Sequence, residues 1–179
     1  MSLHLDLGCG NTPRNPYKCD QICGVDIRCP QNDKKNFREV NLLSEKIPFE
    51  SNYFDSVSAY DFIEHVPRVI SSHTDNNVHY AFIDIMNEIW RVLKPGGLFF
   101  ASTPFYPNPE VFVDPTHVNF ITEKTHKYFC GDKPLAQVYG FHGQFIAKNV
   151  CKWKPRGEYP FEKKKLSHNF KILRDFLIT

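Results

Sequence analysis

The segment His4-Leu5-Asp6-Leu7-Gly8-Cys9-Gly10 constrains this chain more than any other. It reads as a buried strand running into a turn almost free of side chains, with a carboxylate near the strand's end. A second short segment, Cys23-Gly24-Val25-Asp26-Ile27, ends its apolar run on another carboxylate. In an open α/β sheet this pairing grips an adenosine-containing ligand: the glycines let the backbone approach it, and the second acid takes the ribose hydroxyls. The competing reading of Asp6 and Asp26 is a pair of carboxylates that cap turns.

The first half of the chain alternates strand and helix signals. Leu3–Leu7, Ile22–Ile27, Phe37–Leu42, Phe54–Tyr60 and Leu98–Ser102 read as five strands. Such alternation predicts a parallel sheet with helices on its faces. The clearest helix spans residues 78–93, where Phe82, Ile85, Met86, Ile89 and Leu93 recur on one face. Asp75, Asn76 and Asn77 are its candidate N-caps, and Lys94-Pro95-Gly96-Gly97 is its expected stop. Residues 103–115 hold four prolines and read as an aromatic-rich loop with extended character. Two apolar segments, residues 144–153 and 170–178, suit closing strands or a terminal helix, and Lys163-Lys164-Lys165 reads as a solvated face.

At 179 residues the chain fits one domain. A formal net charge of +2 argues against a strongly basic nucleic-acid binder, and no RNA-binding motif is present. No apolar run approaches the roughly 20 residues needed to span a bilayer. The chain enters its first strand without a signal-peptide pattern, so a cytoplasmic protein is expected, with no nucleic-acid or membrane partner. Reduced thiols are then expected for the six cysteines, four of which fall in the first 29 residues. Their spacing holds no C-x-x-C knuckle, and no metal site is read from the sequence.

Three blocks carry a family resemblance. The first is His4-Leu5-Asp6-Leu7-Gly8-Cys9-Gly10. The second is Ile47-Pro48-Phe49 followed by Tyr53-Phe54-Asp55-Ser56-Val57 and Tyr60-Asp61-Phe62-Ile63-Glu64-His65-Val66. The third is Glu88-Ile89-Trp90-Arg91-Val92-Leu93-Lys94-Pro95-Gly96-Gly97. In this order and spacing they resemble class I S-adenosyl-L-methionine-dependent methyltransferases over about residues 3–103, closest to a small bacterial type-11-like branch often encoded with surface-polysaccharide genes. The resemblance implies a Rossmann-like single α/β domain over residues 1–179. Its mostly parallel central sheet would be flanked by helices, with a cofactor-binding half at about 1–103 and a substrate-side insertion with closing strands at about 104–179. Competing cofactors fit less well. A nicotinamide-dinucleotide turn needs a third small residue where this chain has Pro13, and no Gly-Lys-Ser/Thr follows to make a P-loop.

Carried over position by position, the resemblance assigns the cofactor to Asp6, Gly8, Cys9, Gly10, Asp26, Ile27, Asn41, Leu42, Tyr60 and Asp61. Gly8 and Gly10 would lie against it, Asp6 would brace the turn, and Asp26 would accept the ribose hydroxyls. Asn41-Leu42 would hold the adenine, and Tyr60-Asp61 would face the methionine portion. Only thirteen residues, Asn11 to Cys23, separate the glycine turn from Gly24, and they include Pro13 and Pro16. The first crossover helix is therefore expected to be shortened or replaced by a loop, leaving Arg14 or Asn11 to meet the cofactor's carboxylate. No N-terminal lid precedes the first strand, so the insertion after residue 103, or a partner, is expected to cover the site.

Methyl transfer needs an acceptor held in line and, for a hydroxyl, a general base. Asp114-Pro115-Thr116-His117 couples an acid to a histidine three residues on, so His117 and Asp114 are the first catalytic candidates and His65 the next. The competing reading has Asp114 capping a turn and His117 and His65 as structural residues. A small-molecule acceptor, such as a saccharide hydroxyl, suits the aromatic loop. The alternative function is a catalytically inactive adenosylmethionine-binding regulatory or assembly protein. The sequence assigns no oligomeric state.

Overall fold

Leu5, Leu7, Val25, Val57, Ala59, Phe99 and Ala101 are all fully shielded from solvent. They belong to short apolar runs of the kind that become central strands of a parallel sheet. The computed structural model describes residues 1–28, 36–71, 78–152 and 175–178, the last four as main chain only. Its main sheet contains β1 (Leu3–Leu7), β2 (Gln21–Asp26), β3 (Phe37–Glu39), β4 (Phe54–Tyr60), β7 (Leu93–Ser102), β8 (Ile146–Val150) and β9 (Asp175–Ile178). The strand order is β3-β2-β1-β4-β7-β9-β8, and every pairing is parallel. A separate antiparallel pair joins β5 (Ile70–Ser71) to β6 (Val78–His79). The chain is thus α/β and Rossmann-like, as expected, and the direction of strand progression reverses between β1 and β4.

Helical content is lower than the sequence pattern predicts. One α-helix, α1 (Ala81–Val92), and four short 3₁₀ turns occur among the described residues. The crossover from β1 to β2 contains turns and no helix, in keeping with Pro13 and Pro16. None of the described helices is long and apolar enough to cross a membrane. The helix starts at Ala81 rather than residue 78, because Val78 and His79 pair with Ser71 and Ile70. The expected caps Asp75, Asn76 and Asn77 lie outside the described residues, as do Cys29, Trp153, residues 170–174 and Lys163-Lys164-Lys165. Among the described cysteines, Cys9, Cys19, Cys23, Cys130 and Cys151, none is in a disulfide.

The helix does stop just before the expected Lys94-Pro95-Gly96-Gly97, but these residues belong to β7. The helix ends at Val92, and Leu93 is already extended opposite Phe54. Leu98 pairs with Ser56, so the Lys-Pro-Gly-Gly residues bulge out of β7, with Gly96 at φ +79°. Lys94 remains useful there: its ammonium donates to both oxygens of Asp55 at 2.9 Å. The third strand stops at Glu39, short of the expected Leu42, because Asn41 starts a turn in which its Oδ1 accepts from the Leu43 N–H (3.1 Å). Residues 103–115 form the expected loop, with a single 3₁₀ turn at Pro109–Phe112. The expected closing strands are β8 and β9.

α1 buries Phe82, Ile85, Met86 and Ile89 against one face of the sheet. Its other side latches the chain before β4. Arg91 donates to Glu88 through Nε (2.8 Å) and Nη2 (2.7 Å), and to the carbonyls of Phe49 (2.7 Å) and Ile47 (2.8 Å). Glu88 Oε2 in turn accepts the Ile47 N–H at 2.9 Å. A lysine has no planar fork and cannot reach all four acceptors. Arg91→Lys is therefore expected to cost about 1–2 kcal/mol, read as a lower urea midpoint with an unchanged denaturant slope. An unchanged midpoint would show that the latch is energetically idle.

The opposite face of β1 and β4 is polar. The register sets His4 beside Ser56 and Asp6 beside Ser58, and all four are buried. The Ser58 hydroxyl donates to Asp6 Oδ1 (2.5 Å), so its oxygen accepts from His4 Nε2–H (2.8 Å). His4 Nδ1 then accepts from the Ser56 hydroxyl (2.7 Å). Burial drives the His4 imidazole down to about 3 and the Asp6 carboxyl up to about 7. The first crossover covers this ladder. Its Arg14 N–H donates to Asp6 Oδ2 (2.7 Å), and its Tyr17 ring packs with Tyr60 and Phe100.

Candidate functional site

A reversal of strand progression leaves a crevice at the C-terminal ends of the two strands involved, the usual ligand site of open α/β sheets. Here the glycine turn after β1 meets the turn after β4. Gly8 sits at φ +62°, which only glycine adopts without strain. Its N–H and that of Cys9 both donate to the Val25 carbonyl (2.9 and 3.3 Å), folding the turn back over β2. A Cβ on Gly8 would lie 2.8 Å from Phe62 Cδ2 and 3.0 Å from Phe62 Cβ, so the two turns touch through a bare backbone. At Gly10 the space a side chain would occupy is empty.

A cleft of about 170 Å³ opens beside this contact. It is lined by five of the residues assigned from sequence, Gly8, Asp26, Ile27, Asn41 and Leu42, and by Val40, Leu43, Phe62 and His65. The wall is largely apolar, with Ile27 (59%) and Leu43 (42%) unusually exposed for their type. Asp26 is the acid at the end of β2. Its Oδ2 accepts the Gly10 N–H (2.9 Å) and its Oδ1 the Arg28 N–H (3.1 Å). The carboxylate thus holds the glycine turn in shape, as the capping reading requires, and each oxygen keeps a further lone pair for a ligand in the cleft. Two larger concavities, of about 530 and 630 Å³, contain neither the glycine turn nor Asp26.

The other assigned positions lie around the cleft rather than in its lining. Asp6 is 1% exposed, with one oxygen bonded to Ser58 and the other to Arg14, so it acts on the turn from beneath. The Cys9 side chain points toward β2: a Cβ on Gly24 would sit 2.6 Å from Cys9 Sγ and 2.9 Å from the Pro13 ring. Tyr60 is buried, its ring against Phe100 and under the Arg14 guanidinium at 4.6 Å, and it does not line the cleft. Asp61 is exposed at the tip of β4 with φ +48°, its N–H donating to the Ser102 carbonyl. Phe62, Val40 and Leu43 were not singled out from sequence. Their only signal there is adjacency to the assigned pairs.

The catalytic candidates also converge. The Glu64 carbonyl accepts the N–H groups of Val118 and Asn119 (both 2.9 Å), which docks the loop after β7 onto the turn after β4. This brings the His65 and His117 rings edge to face, with centroids 4.8 Å apart. His117 Nδ1 donates to the Val111 carbonyl (3.0 Å). His65 Nδ1 faces the Thr116 carbonyl (3.3 Å) and Oγ1 (2.9 Å). Carbonyls only accept, so both Nδ1 atoms carry a proton, and in the neutral ring Nε2 is the acceptor. Asp114 Oδ1 accepts from the Thr116 N–H (2.8 Å) and hydroxyl (2.6 Å), which hold its carboxyl below the usual range. Its Oδ2 lies 3.9 Å from His117 Nε2. Asp114 therefore caps the turn and faces the histidine at once.

Glu64 completes the group. It is 0% exposed, neither carboxylate oxygen closes a hydrogen bond, and burial pushes it up to about 7. Ligand atoms of Glu64, His65 and His117 all lie within 4.8 Å of one another. The fifty-one residues between His65 and His117 hide this cluster from any spacing motif.

A parallel sheet whose strand order reverses, a bare glycine turn at that switch point and a strand-end carboxylate in the adjoining cleft define an α/β protein of the Rossmann-like class. A family model described as a methyltransferase domain matches residues 5–101, more than half of the chain. The chain belongs to that family, one of class I S-adenosylmethionine-dependent methyltransferases. No curated protein matches the chain.

Proposed function

We propose that this protein transfers a methyl group from S-adenosyl-L-methionine to a hydroxyl of a small-molecule acceptor, with a saccharide as the favoured class. The observation that carries this reading is the cleft beside Gly8, where Asp26, Ile27, Asn41 and Leu42 from two strand ends meet a backbone free of side chains. In it, Asp26 accepts the ribose hydroxyls, Ile27 and Leu43 flank the adenine, and Asn41-Leu42 hold its edge. Arg14, exposed on the first crossover with its guanidinium over the Tyr60 ring, would meet the cofactor's carboxylate. When bound, the cofactor supplies a methyl group on a positively charged sulfur, so the protein's task is to orient the acceptor and take its proton. The Nε2 lone pairs of His65 and His117 face the place where that proton leaves, and Asp114 stabilises the imidazolium that forms. The exposed aromatics Tyr106, Phe112 and Phe120 on the loop after β7 offer flat apolar faces to a sugar ring.

Asp26→Ala is expected to weaken adenosylhomocysteine binding at least tenfold, in line with the roughly 1.5–3 kcal/mol of a lost charged acceptor. Asp26→Asn, which keeps one acceptor oxygen and the same shape, should lose less. Calorimetry with adenosylhomocysteine and with NAD reads this directly. Equal affinity of wild type and Asp26→Ala would remove the ribose assignment, and NAD binding would replace the cofactor. Methyl transfer assayed on a panel of saccharides and small alcohols separates an enzyme from a protein that binds the cofactor without turnover.

A further inference from the structure

We propose that Glu64, His65 and His117 bind a divalent transition-metal ion at the rim of the cofactor cleft. Both imidazoles commit their Nδ1–H groups to fixed partners, the Val111 carbonyl and the Thr116 oxygens. Each ring keeps its Nε2 for another partner, that of His117 lying 3.9 Å from Asp114 Oδ2. Glu64, fully shielded from solvent, adds a carboxylate whose two oxygens have no hydrogen-bond partner. Two imidazoles and a shielded carboxyl thus meet, and burial makes an unpaired carboxylate among them costly. A cation resolves it at a stroke.

The ligand set is specific. Two neutral imidazoles and one carboxylate match the donors of catalytic zinc centres and of other first-row divalent ions, and they leave positions open for an exogenous oxygen. The backbone carbonyl and the threonine that hold the Nδ1–H groups are the kind of outer partners that orient metal-ligating histidines. Asp114 extends this outer layer, since it accepts the Thr116 hydroxyl that in turn accepts from His65. The ligand atoms lie within 4.8 Å of one another. Three ligands about 2.1 Å from one ion sit roughly 3.0–3.4 Å apart, a contraction that small rotations of the Glu64, His65 and His117 side chains would supply.

His65 also lines the cleft, so the ion would stand next to the cofactor. Its role in turnover rests on the methyltransferase reading above: a bound ion lowers the pKa of a coordinated hydroxyl so that its proton passes to bulk water, and the two imidazoles then serve as ligands in place of the base. Binding of the ion does not rest on that reading, and the two are tested apart.

The test uses the full chain stripped with chelator and titrated with Co²⁺ by absorption spectroscopy and with Zn²⁺ by calorimetry. One equivalent is expected, with visible d–d bands and no thiolate-to-cobalt charge transfer. Glu64→Gln and His117→Gln should each weaken Co²⁺ binding by at least about tenfold, with metal-free unfolding curves showing that both variants fold. Should either fail to fold, proton NMR of the Co²⁺-loaded wild type must show two hyperfine-shifted imidazole N–H signals. No binding by the wild type, thiolate bands, undiminished affinity in a folded variant, or missing imidazole shifts would each overturn the site. Adenosylhomocysteine calorimetry on the stripped protein reports separately: its failure sinks the cofactor assignment and leaves the metal site standing.

Discussion

Gly8→Ala is expected to lower stability by about 2–4 kcal/mol, where Gly10→Ala costs only about 1. Both glycines hold positive φ, +62° and +57°, so an alanine pays the left-handed penalty at either position. They differ in what a new Cβ would meet. At Gly10 there is nothing within 4 Å, whereas at Gly8 the methyl would press on Phe62 at Cδ2, Cγ and Cβ. Rotating the ring cannot clear its own Cβ, so the turn after β4 must move, and His65 and the cleft with it. A chain of this size translates the Gly8 loss into roughly 5–15 °C of unfolding temperature. Calorimetric melting of the two variants beside wild type checks this. Equal shifts would mean that Phe62 yields freely and that the closeness of the two turns constrains nothing.

The second large effect concerns acid. His4 is held neutral in the folded state, down to about pH 3, but takes a proton near 6.5 once unfolded. Its contribution is therefore complete above pH 6.5 and is lost as pH falls toward 3, because the unfolded chain binds the extra proton. At pH 5 the loss amounts to about 2 kcal/mol. Asp6 and Glu64, both raised to about 7, act with the opposite sign: each gives up stability as pH rises through the window from its unfolded value to about 7. The wild-type profile is a sum of these, so the clean measurement is a difference. Wild type minus His4→Gln, by urea denaturation at pH 7.5 and pH 5, should change by about 2 kcal/mol against wild type. A constant difference would mean that His4 is charged in the fold.

The strands were legible as short segments bounded by turn residues, and β1 and β4 begin and end at the expected residues. The assigned cofactor residues Gly8, Asp26, Ile27, Asn41 and Leu42 share one cleft because each follows a strand end, and strand ends are what a sequence marks best. Helix boundaries were less legible. Nothing local announces that Val78 and His79 prefer pairing with Ile70 and Ser71 over a first helical turn, or that Lys94-Pro95-Gly96-Gly97 bulges within a strand. Side-chain direction was hidden as well. Tyr60 follows the alternation of β4 onto the Tyr17 and Phe100 face, which a motif names by position alone. The Glu64, His65 and His117 group depends on a loop returning across more than fifty residues, which the hydrogen bonds to the Glu64 carbonyl and the His65–Thr116 contacts reveal.

Sliding β4 by two residues along β1 would keep every oily side chain on its own side, so grease cannot tell the two alignments apart. The buried imidazole and carboxylate can. Offset by one repeat, His4 would lose one of its two serine hydroxyls and Asp6 would face Ser56 or Tyr60 in place of Ser58. The histidine, the acid and the serines therefore work as a key cut to a single notch. That notch sets how far the tip of β4 projects beyond the tip of β1, and so whether Phe62 comes down on Gly8 at all.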